Sequence, residues 1–265
     1  MLVDSENNLP AVRIVLPGRP LEDRAIEILF PEHVTVRKQG RKDAEHLYVF
    51  RPGKQGDIPE WKREVNSLGY EKQFPQGIHM LARATLEDDG VRFDYHFSNE
   101  SDISYEFVYA VTDPRLTSIF HDVRLERTYV HHKDGFDLLA SEIPQRLSMP
   151  LHQWLPLRFL ATFTWPVPAQ RIEHRDDGIT YYQKSRAVDE PMLATVSSDR
   201  KWIVVSFTRT VGNVWSNPDL TCQHVDPQLA LGAHQSGTAS IKILFLQGTL
   251  DDALQKVRTQ RADWK

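Results

Sequence analysis

Cysteine is almost absent from this chain of 265 residues, which contains only Cys222. A single cysteine excludes an intramolecular disulfide and a CxxC zinc framework. No apolar run approaches the roughly 18 residues that a membrane-spanning helix needs, so we expect no membrane partner. The first ten residues, MLVDSENNLP, lack the basic and apolar regions of a secretory signal. We therefore expect a soluble cytoplasmic protein, with an exported protein whose signal has been removed as the open alternative.

The chain also lacks signature motifs and an excess of charge. It has no GxGxxG, Walker A, GxSxG, HExxH or EF-hand pattern. This argues against nucleotide-dependent chemistry, an α/β-hydrolase, a zincin and an EF-hand protein. The formal net charge of −4 provides no general field that would attract nucleic acid, so no nucleic-acid partner is expected. The one basic cluster, Arg37 to Lys42, contains a glycine and is typical of a solvated turn.

Alternating apolar residues predict antiparallel β-structure, first at 12–16 and 26–30. Asp-Gly pairs at 89–90, 134–135 and 177–178 separate strand-like segments and are typical of hairpins with type I′ turns. Further strands are predicted at 105–111, 117–131, 157–164, 192–197 and 202–207. Thr249 and Asp252 form a capping-box pattern at the start of the one helical segment. We predict a single all-β domain over residues 1–265, a large antiparallel β-sandwich (supersandwich) with one short C-terminal helix.

Two segments bounded by proline are predicted to be loops. Pro52 to Pro75 has little periodicity, with a helical turn expected at Glu60 to Val65. Loops of this length in compact domains are often functional. Trp61 within it is a candidate sugar contact or, alternatively, a lid on the core. Pro144 to Pro156 is the second such loop.

A family resemblance emerges at the Asp-Gly pair 89–90. The run DGVRFDYHFSNESD, residues 89–102, resembles the galactose mutarotase-like superfamily, whose members often carry a strand that ends in Asn-x-Ser-Asp. The segment Cys222 to Pro227, followed by a long strand, is also similar to members of that group. The resemblance covers about residues 20–250. It implies a supersandwich that binds carbohydrate on one concave sheet face, and relatives include epimerases, lyases, hydrolase domains and non-catalytic domains.

Mutarotase chemistry needs a carboxylate that deprotonates the anomeric hydroxyl and a histidine that protonates the ring oxygen. Where the resemblance implies a catalytic histidine, this sequence has Thr112-Asp113-Pro114, and the closest later histidine is His121. Asp226 lies in a place comparable to that of the family's C-terminal catalytic glutamate. These departures argue against a standard aldose mutarotase.

The remaining candidates for acid/base chemistry are histidines: His79, His121, His131 and His224. Any one of them could instead be a satisfied core or surface histidine. Cys222 and His224 are two apart on an extended segment, so both side chains point to one face and could ligate a divalent metal. Two ligands do not complete a site, and apart from this metal no cofactor is expected.

Lyase chemistry is the second catalytic possibility. β-Elimination from a uronic acid needs a neutralised carboxylate and a Tyr or His base. His79, Arg83 and Thr85 share one face of a strand, as in a sugar-binding sheet or in any solvent-facing sheet. Trp215 and Asn217 could supply a stacking surface and an amide, although a tryptophan of a sandwich is often buried. The candidate sugar contacts are Trp61, Arg83, Trp215, Asn217 and Asp226.

Three functions remain open at this point. The first is a carbohydrate-active enzyme, epimerase/mutarotase-like (an isomerase) or uronate lyase-like, that uses histidine acid/base chemistry. The second is a non-catalytic carbohydrate-binding protein that uses the same sheet face. The third is a structural or assembly β domain, which predicts apolar edge patches in place of a polar cleft.

Overall fold

A computed structural model gives the fold of residues 2–4, 10–20, 24–49 and 60–264. The strands of the first part of the chain are β1 (Leu2–Asp4), β2 (Ala11–Val15), β3 (Arg24–Lys38), β4 (Glu45–Leu47), β5 (Lys62–Arg63), β6 (Ser67–Phe74), β7 (Ile78–Glu87), β8 (Gly90–Asn99) and β9 (Tyr105–Leu116). They are followed by β10 (Thr128–His132), β11 (Gly135–Leu138), the helix α1 (Leu151–Trp154), β12 (Leu157–Thr162), β13 (Ile172–His174), β14 (Thr180–Gln183), β15 (Met192–Val196), β16 (Ile203–Thr208), β17 (Asn213–Ser216), β18 (Leu229–Leu231), β19 (Ser236–Leu246) and the helix α2 (Leu250–Asp263). Short 3₁₀ helices occur at Ser118–Phe120 and Pro144–Leu147.

The chain divides into two compact units. The first consists of Met1–Asp113 with Asp226–Lys242, and the second of Pro114–Val225 with Ile243–Lys265. Strands β9 and β19 contribute residues to both. One domain over residues 1–265 stays a prediction.

The first unit is a β-sandwich. One sheet has the order β1-β2-β3-β9-β18, with β4 paired to β3, and the other runs from β5 through β6, β7 and β8 to the first part of β19. Phe30 of β3 joins the two sheets, since its ring lies 5.6 Å from that of Tyr70 and 5.4 Å from that of Phe93. The Tyr70 hydroxyl also donates a 2.5 Å hydrogen bond to the Phe30 carbonyl. All three rings are buried, which stabilises the fold by about 1.5–3 kcal/mol for each.

The second unit contains two sheets and the C-terminal helix. One sheet has the order β11-β10-β15-β16 and ends on the last part of β19, and the smaller one has the order β13-β14-β12-β17. Strands β12 and β14 pair in parallel, whereas β12 and β17 are antiparallel. Helix α2 begins at the predicted capping box, with the Thr249 side chain accepting from the Asp252 N–H at 3.1 Å. Its buried residues Leu254 and Val257 pack in the cluster that contains Val205 of β16.

The predicted fold class, an all-β antiparallel sandwich with one C-terminal helix, is confirmed. The three Asp-Gly hairpins are also confirmed, as β7-β8, β10-β11 and β13-β14. The turn type is wrong, because type I′ needs a positive φ at both central residues and none of the three aspartates has one. Only Gly135 and Gly178 of these pairs adopt a positive φ, at 122° and 83°. Neither α1 nor α2 has the length and apolar character that crossing a membrane would require.

The strand predicted at 117–131 is wrong for its first part, because β10 begins at Thr128. The buried carboxylate of Asp122 replaces strand pairing there. It accepts hydrogen bonds from the backbone N–H groups of Glu126 and Arg127, at 3.1 and 2.8 Å. A side chain that satisfies nearby backbone donors favours a turn over a sheet ladder.

The two predicted loops contain regular structure. Strands β5 and β6 occupy much of 60–75, and no helical turn forms at Glu60 to Val65, while residues 52–59 of that prediction lie outside the described ranges. Leu68 and Tyr70 of β6 point into the core, which anchors a strand that the sequence pattern did not reveal. In the second loop, α1 buries Trp154, whose Nε1 donates to the Val123 carbonyl at 2.6 Å.

Candidate functional site

A polar sheet face covers strands β6, β7, β8 and the first part of β19 in the first unit. Successive residues of a strand point to opposite sides, so Ile78, Met80, Ala82 and Ala84 of β7 are buried while the residues between them point outward. The strand register places Gly69, Arg83 and Asp94 in one row across this face. This confirms the predicted division of β7 into a polar and an apolar side.

A groove of about 510 Å³ lies on the polar face. Gly69 leaves the row beside Arg83 without a side chain, and a Cβ at this position would lie 2.9 Å from the Ala82 carbonyl oxygen. The lining residues combine two guanidinium groups, two carboxylates, two hydroxyls and an amide: Glu64, Val65, Asn66, Ser67, Arg83, Thr85, Arg92 and Asp94. The groove is thus a set of hydrogen-bonding groups held on paired strands and on the turn between β5 and β6.

Each arginine of the groove is held in place by acidic neighbours. Arg83 forms an ion pair with Glu64, and its Nη2 donates to the Ser67 hydroxyl at 3.0 Å. Arg92 contacts Glu87 at 3.1 Å and Asp94 at 3.0 Å. Asp94 also accepts a 2.6 Å hydrogen bond from the Ser240 hydroxyl on β19. Ion pairs at a protein surface contribute little to stability.

His79 lies on the same polar face but not in the groove. Its Nε2 is 3.5 Å from the Glu71 carboxylate. Glu71 is also bonded to Lys62, and this hydrogen bond is the largest cause of a lowered pKa at Glu71. His79 is four residues from Arg83 along β7, a distance of about 13 Å at the usual rise of a strand. His79 is therefore separate from the residues that line the groove around Arg83.

Two other candidates of the first unit pack against the protein itself. Trp61 contacts Phe30 and Tyr70, with ring centroids 5.6 and 5.3 Å apart. This is the lid on the core that the sequence offered as the alternative to a sugar contact. Asp226 is buried and accepts the backbone N–H of Thr112 at 2.9 Å. Sugar-binding roles for both residues stay predictions.

In the second unit the structure brings four candidates together, around a backbone bridge between Trp215 and His224. The two rings stack with centroids 3.7 Å apart and planes inclined by 3°. Asn217 lies between Trp215 and His224 in the sequence, and its side-chain amide bonds within the loop that joins them. Its Nδ2 donates to the Cys222 Sγ at 2.6 Å, and its Oδ1 accepts the Leu220 N–H at 2.9 Å.

Cys222 and His224 are both buried, and their ligand atoms lie within 4.8 Å of each other. Thiolate and imidazole are preferred ligands of zinc, so this pair fits two positions of such a site. A divalent metal at Cys222 and His224 stays a prediction.

The remaining histidines are separate from this cluster. His121 is exposed, with its Nε2 3.2 Å from the Asp219 carbonyl oxygen. His131 is buried, with its Nδ1 2.6 Å from Asp189 Oδ1 and its ring edge against Phe136. A carboxylate on one ring nitrogen orients an imidazole. Catalytic roles for His79, His121, His131 and His224 stay predictions.

The groove contains residues that the sequence did not single out. Asp94 could have been identified from the sequence, because Arg92, Asp94 and His96 of β8 alternate on one face as regularly as the polar residues of β7 do. Glu64 and Ser67 could not, since Pro52 to Pro75, which contains β5 and β6, was interpreted as a loop. Their position depends on the pairing of β6 with β7.

Comparison with known proteins concerns the fold. No protein-family model and no curated protein sequence matches the chain. An α-N-acetylgalactosaminidase from Bifidobacterium bifidum, solved with GalNAc, has a TM-score of 0.53 at 11% identity, and the match covers 99% of this chain and 37% of that protein. A galactose mutarotase related enzyme from Lactobacillus acidophilus matches with a TM-score of 0.49 at 12% identity, covering 94% and 98%. A polysaccharide lyase matches with a TM-score of 0.42 at 12% identity, covering 96% and 34%.

The matched structures include several galactose mutarotase-like proteins, the superfamily that the sequence resembles. Where the TM-score exceeds 0.5, in the match to the glycosidase from Bifidobacterium bifidum, the chain shares a fold with a divergent sequence. A shared fold does not carry an activity, because function depends on the site that a fold presents.

Proposed function

We propose that this chain, which shares its fold with a glycosidase solved with GalNAc, binds a saccharide in the groove around Arg83. The observation that carries the proposal is the set of guanidinium, carboxylate and hydroxyl groups that line this groove on the polar sheet face. Vicinal sugar hydroxyls both donate and accept hydrogen bonds. Arginine offers a fixed fork of donors, and carboxylates offer paired acceptors.

The charges of the groove favour a neutral saccharide over a uronic acid. Arg83 already has Glu64 as its partner, and Arg92 has Glu87 and Asp94. A uronate would have to compete with these carboxylates for the same cations. Uronate lyase chemistry, which needs a cation to neutralise the substrate carboxylate, therefore receives less support than binding of a neutral sugar.

Binding without catalysis is the form of the proposal that the geometry supports best. Among the described residues no histidine lines the groove. The anomeric reaction also requires that the sugar lie between its acid and its base. Carbohydrate binding by a non-catalytic protein was the alternative to an enzyme in the sequence analysis, and the groove now favours it.

Acid/base chemistry at His79, with Glu71 as the carboxylate that orients its imidazole, is the second candidate. The observation in its favour is the 3.5 Å contact between a histidine and a carboxylate on the polar face. If this pair were catalytic, exchange of sugar anomers followed by NMR would be faster with the protein than without it, and His79→Ala would abolish the acceleration. An unchanged rate with the intact protein would reject this candidate.

Calorimetric titration with neutral and acidic mono- and oligosaccharides tests the binding proposal. We expect binding of a neutral saccharide, weakened by at least about tenfold in Arg83→Ala, because hydrogen bonds to charged groups contribute about 1.5–3 kcal/mol. Arg175→Ala is the matched control, since Arg175 is an exposed arginine that is paired with Glu173 in the second unit. Equal affinity in both variants, or no binding at all, would overturn the proposal.

A further inference from the structure

A second, smaller cavity of about 180 Å³ lies within the second unit. Strands β12 and β14, the start of β13 and the segment that follows β11 contribute its walls. Its size corresponds to one six-membered ring, since a cavity of about 150 Å³ in another protein accommodates benzene. Nothing in the sequence pattern or in the candidate residues pointed to this place.

One wall of the cavity is a stack of aromatic rings. Tyr182 lies parallel to Phe159, with centroids 5.6 Å apart and planes inclined by 11°. Phe159 packs in turn on Trp154 at 4.8 Å, and both of these residues are buried. The parallel register of β12 and β14 places Phe159 and Tyr182 side by side. The wall is therefore held by the core, and the half-buried Tyr182 is the ring of the stack that a ligand can reach.

The polar part of the lining has opposite charges that compensate each other. Arg171 Nη1 donates to the Glu142 carboxylate at 2.6 Å. Glu142 also accepts from the Ser185 N–H and hydroxyl, at 2.9 and 2.8 Å. Partial burial acts to raise the pKa of Glu142, but these hydrogen bonds outweigh it and the pKa lies below its ordinary value. Glu142 and Arg171 thus present one negative and one positive group to the cavity, and their charges cancel.

The side chain of Gln183 gives the most specific indication that the cavity binds a ligand. Its backbone N–H is bonded to the Arg171 carbonyl at 2.7 Å, but its side-chain Nε2 is buried and has no hydrogen-bond partner among the described residues. A buried donor without a partner is unfavourable, and such groups are uncommon in folded proteins. Lys184, by contrast, has acceptors in Asp137, Leu138 and Ser141. The amide of Gln183 is the group that an acceptor oxygen of a ligand would satisfy.

We propose that this cavity binds one neutral sugar ring, as a monosaccharide or as the end of a longer saccharide. The apolar face of the ring lies against Tyr182, which Phe159 supports from behind, and a ring or hydroxyl oxygen accepts from Gln183 after its side chain rotates toward the cavity. Further hydroxyls bond to Glu142 and Arg171. The choice of a sugar over another ring of this size rests on the proposed function, whereas the site itself rests on the cavity, the aromatic wall and the unpaired amide.

Titration with D-galactose, D-glucose and N-acetylgalactosamine, and with cyclohexanediol as a non-sugar ring, tests the inference. We expect a monosaccharide to bind and to lose at least tenfold in affinity in Gln183→Leu, which keeps the size of the side chain but removes the donor. The stability of this variant should be unchanged or higher, because the unpaired amide is gone. Tyr182→Leu should weaken binding as well, and Tyr181→Leu is its control, because Tyr181 is not among the residues that line the cavity.

The outcomes separate this site from the groove at Arg83. Weakening by Gln183→Leu and Tyr182→Leu but not by Arg83→Ala supports the cavity and rejects the groove for that sugar. Weakening by Arg83→Ala alone overturns the cavity and leaves the proposed function intact. Binding of cyclohexanediol in preference to every sugar overturns the sugar assignment, and failure of every ring to bind overturns the site.

Discussion

The indole of Trp215 lies flat on the imidazole of His224, with centroids 3.7 Å apart and planes within 3° of parallel. The two residues face each other across an antiparallel bridge, in which each backbone N–H donates to the other's carbonyl at 3.0 to 3.1 Å. Only 1% of His224 is exposed. The pair closes the loop that carries Asn217 and Cys222, so His224 has a packing role that does not depend on any catalytic one.

His224→Ala should lower the free energy of unfolding by about 2–4 kcal/mol, because it leaves a cavity beside the indole. His224→Phe retains a flat ring and should cost less. Urea unfolding followed by tryptophan fluorescence measures both. Equal stability of the alanine variant and the unmutated protein would show that the stack does not contribute to folding.

Asp137→Ala should destabilise the protein by about 3 kcal/mol, since it removes the carboxylate partner of the buried ammonium group of Lys184. The cost should lie at the lower end for broken buried pairs, because Leu138 and Ser141 still accept from Lys184. Asp134→Ala is the control, as this exposed carboxylate pairs with the exposed Arg186. A comparable loss in both variants would contradict the assigned role of Lys184.

The effect of Asp137→Ala should depend on pH. Burial acts to raise the pKa of Asp137, but the hydrogen bonds from Lys184 and Ser141 outweigh it and the pKa lies below its ordinary value of 3.8. A lowered folded-state pKa gives stability that is present above the unfolded value and is lost as the pH falls through the folded value. The difference in the free energy of unfolding between the unmutated protein and Asp137→Ala should therefore become smaller below about pH 4.

His132 should make the protein less stable in mild acid. Burial lowers its pKa from 6.5 and outweighs the hydrogen bond to the Ala187 carbonyl, which acts to raise it. Below about pH 6.5 the unfolded chain therefore binds a proton that the folded protein resists, and stability falls as the pH decreases. Urea unfolding between pH 7.5 and 5 should show that the free energy of unfolding of His132→Gln falls less steeply as the pH decreases than that of the unmutated protein. Equal slopes in His132→Gln and in the unmutated protein would contradict the prediction.

Thr249→Ala should cost about 1 kcal/mol, the usual contribution of an N-cap side chain. The hydroxyl accepts from the Asp252 N–H, while the Asp252 carboxylate accepts from the Thr249 N–H at 2.8 Å. Thr249→Ser keeps the hydroxyl and should remain close to the original stability in chemical unfolding. If serine and alanine cost the same, the contribution comes from the methyl group and not from the cap.

Features that repeat at short spacing were predictable. The alternation of β7 assigned Arg83 to a polar face and Ala82 to the core, and the Asp-Gly pairs marked three hairpins. The capping box marked the start of α2 at Leu250. These features depend on the two-residue period of a strand and on the backbone preferences of single residues, which a sequence states directly.

The partners of the candidate residues were not predictable. The sequence placed Trp61 and His224 on a list of site residues, whereas the structure packs the first on Phe30 and the second on Trp215. It also assigned residues 117–127 to a strand. The turn there depends on the Asp122 carboxylate, which accepts from the Arg127 N–H, and no sequence pattern indicates this hydrogen bond.

By itself the sequence determined an all-β chain with a polar strand at Arg83, three hairpins and a final helix. Only the tertiary structure decided that Glu64 meets Arg83, and that Phe159, Tyr182 and Gln183 line one cavity. The reason is physical. Local periodicity assigns a side chain to a face, but the pairing of strands distant in sequence decides which faces become neighbours, and the burial energy of the whole chain selects that pairing.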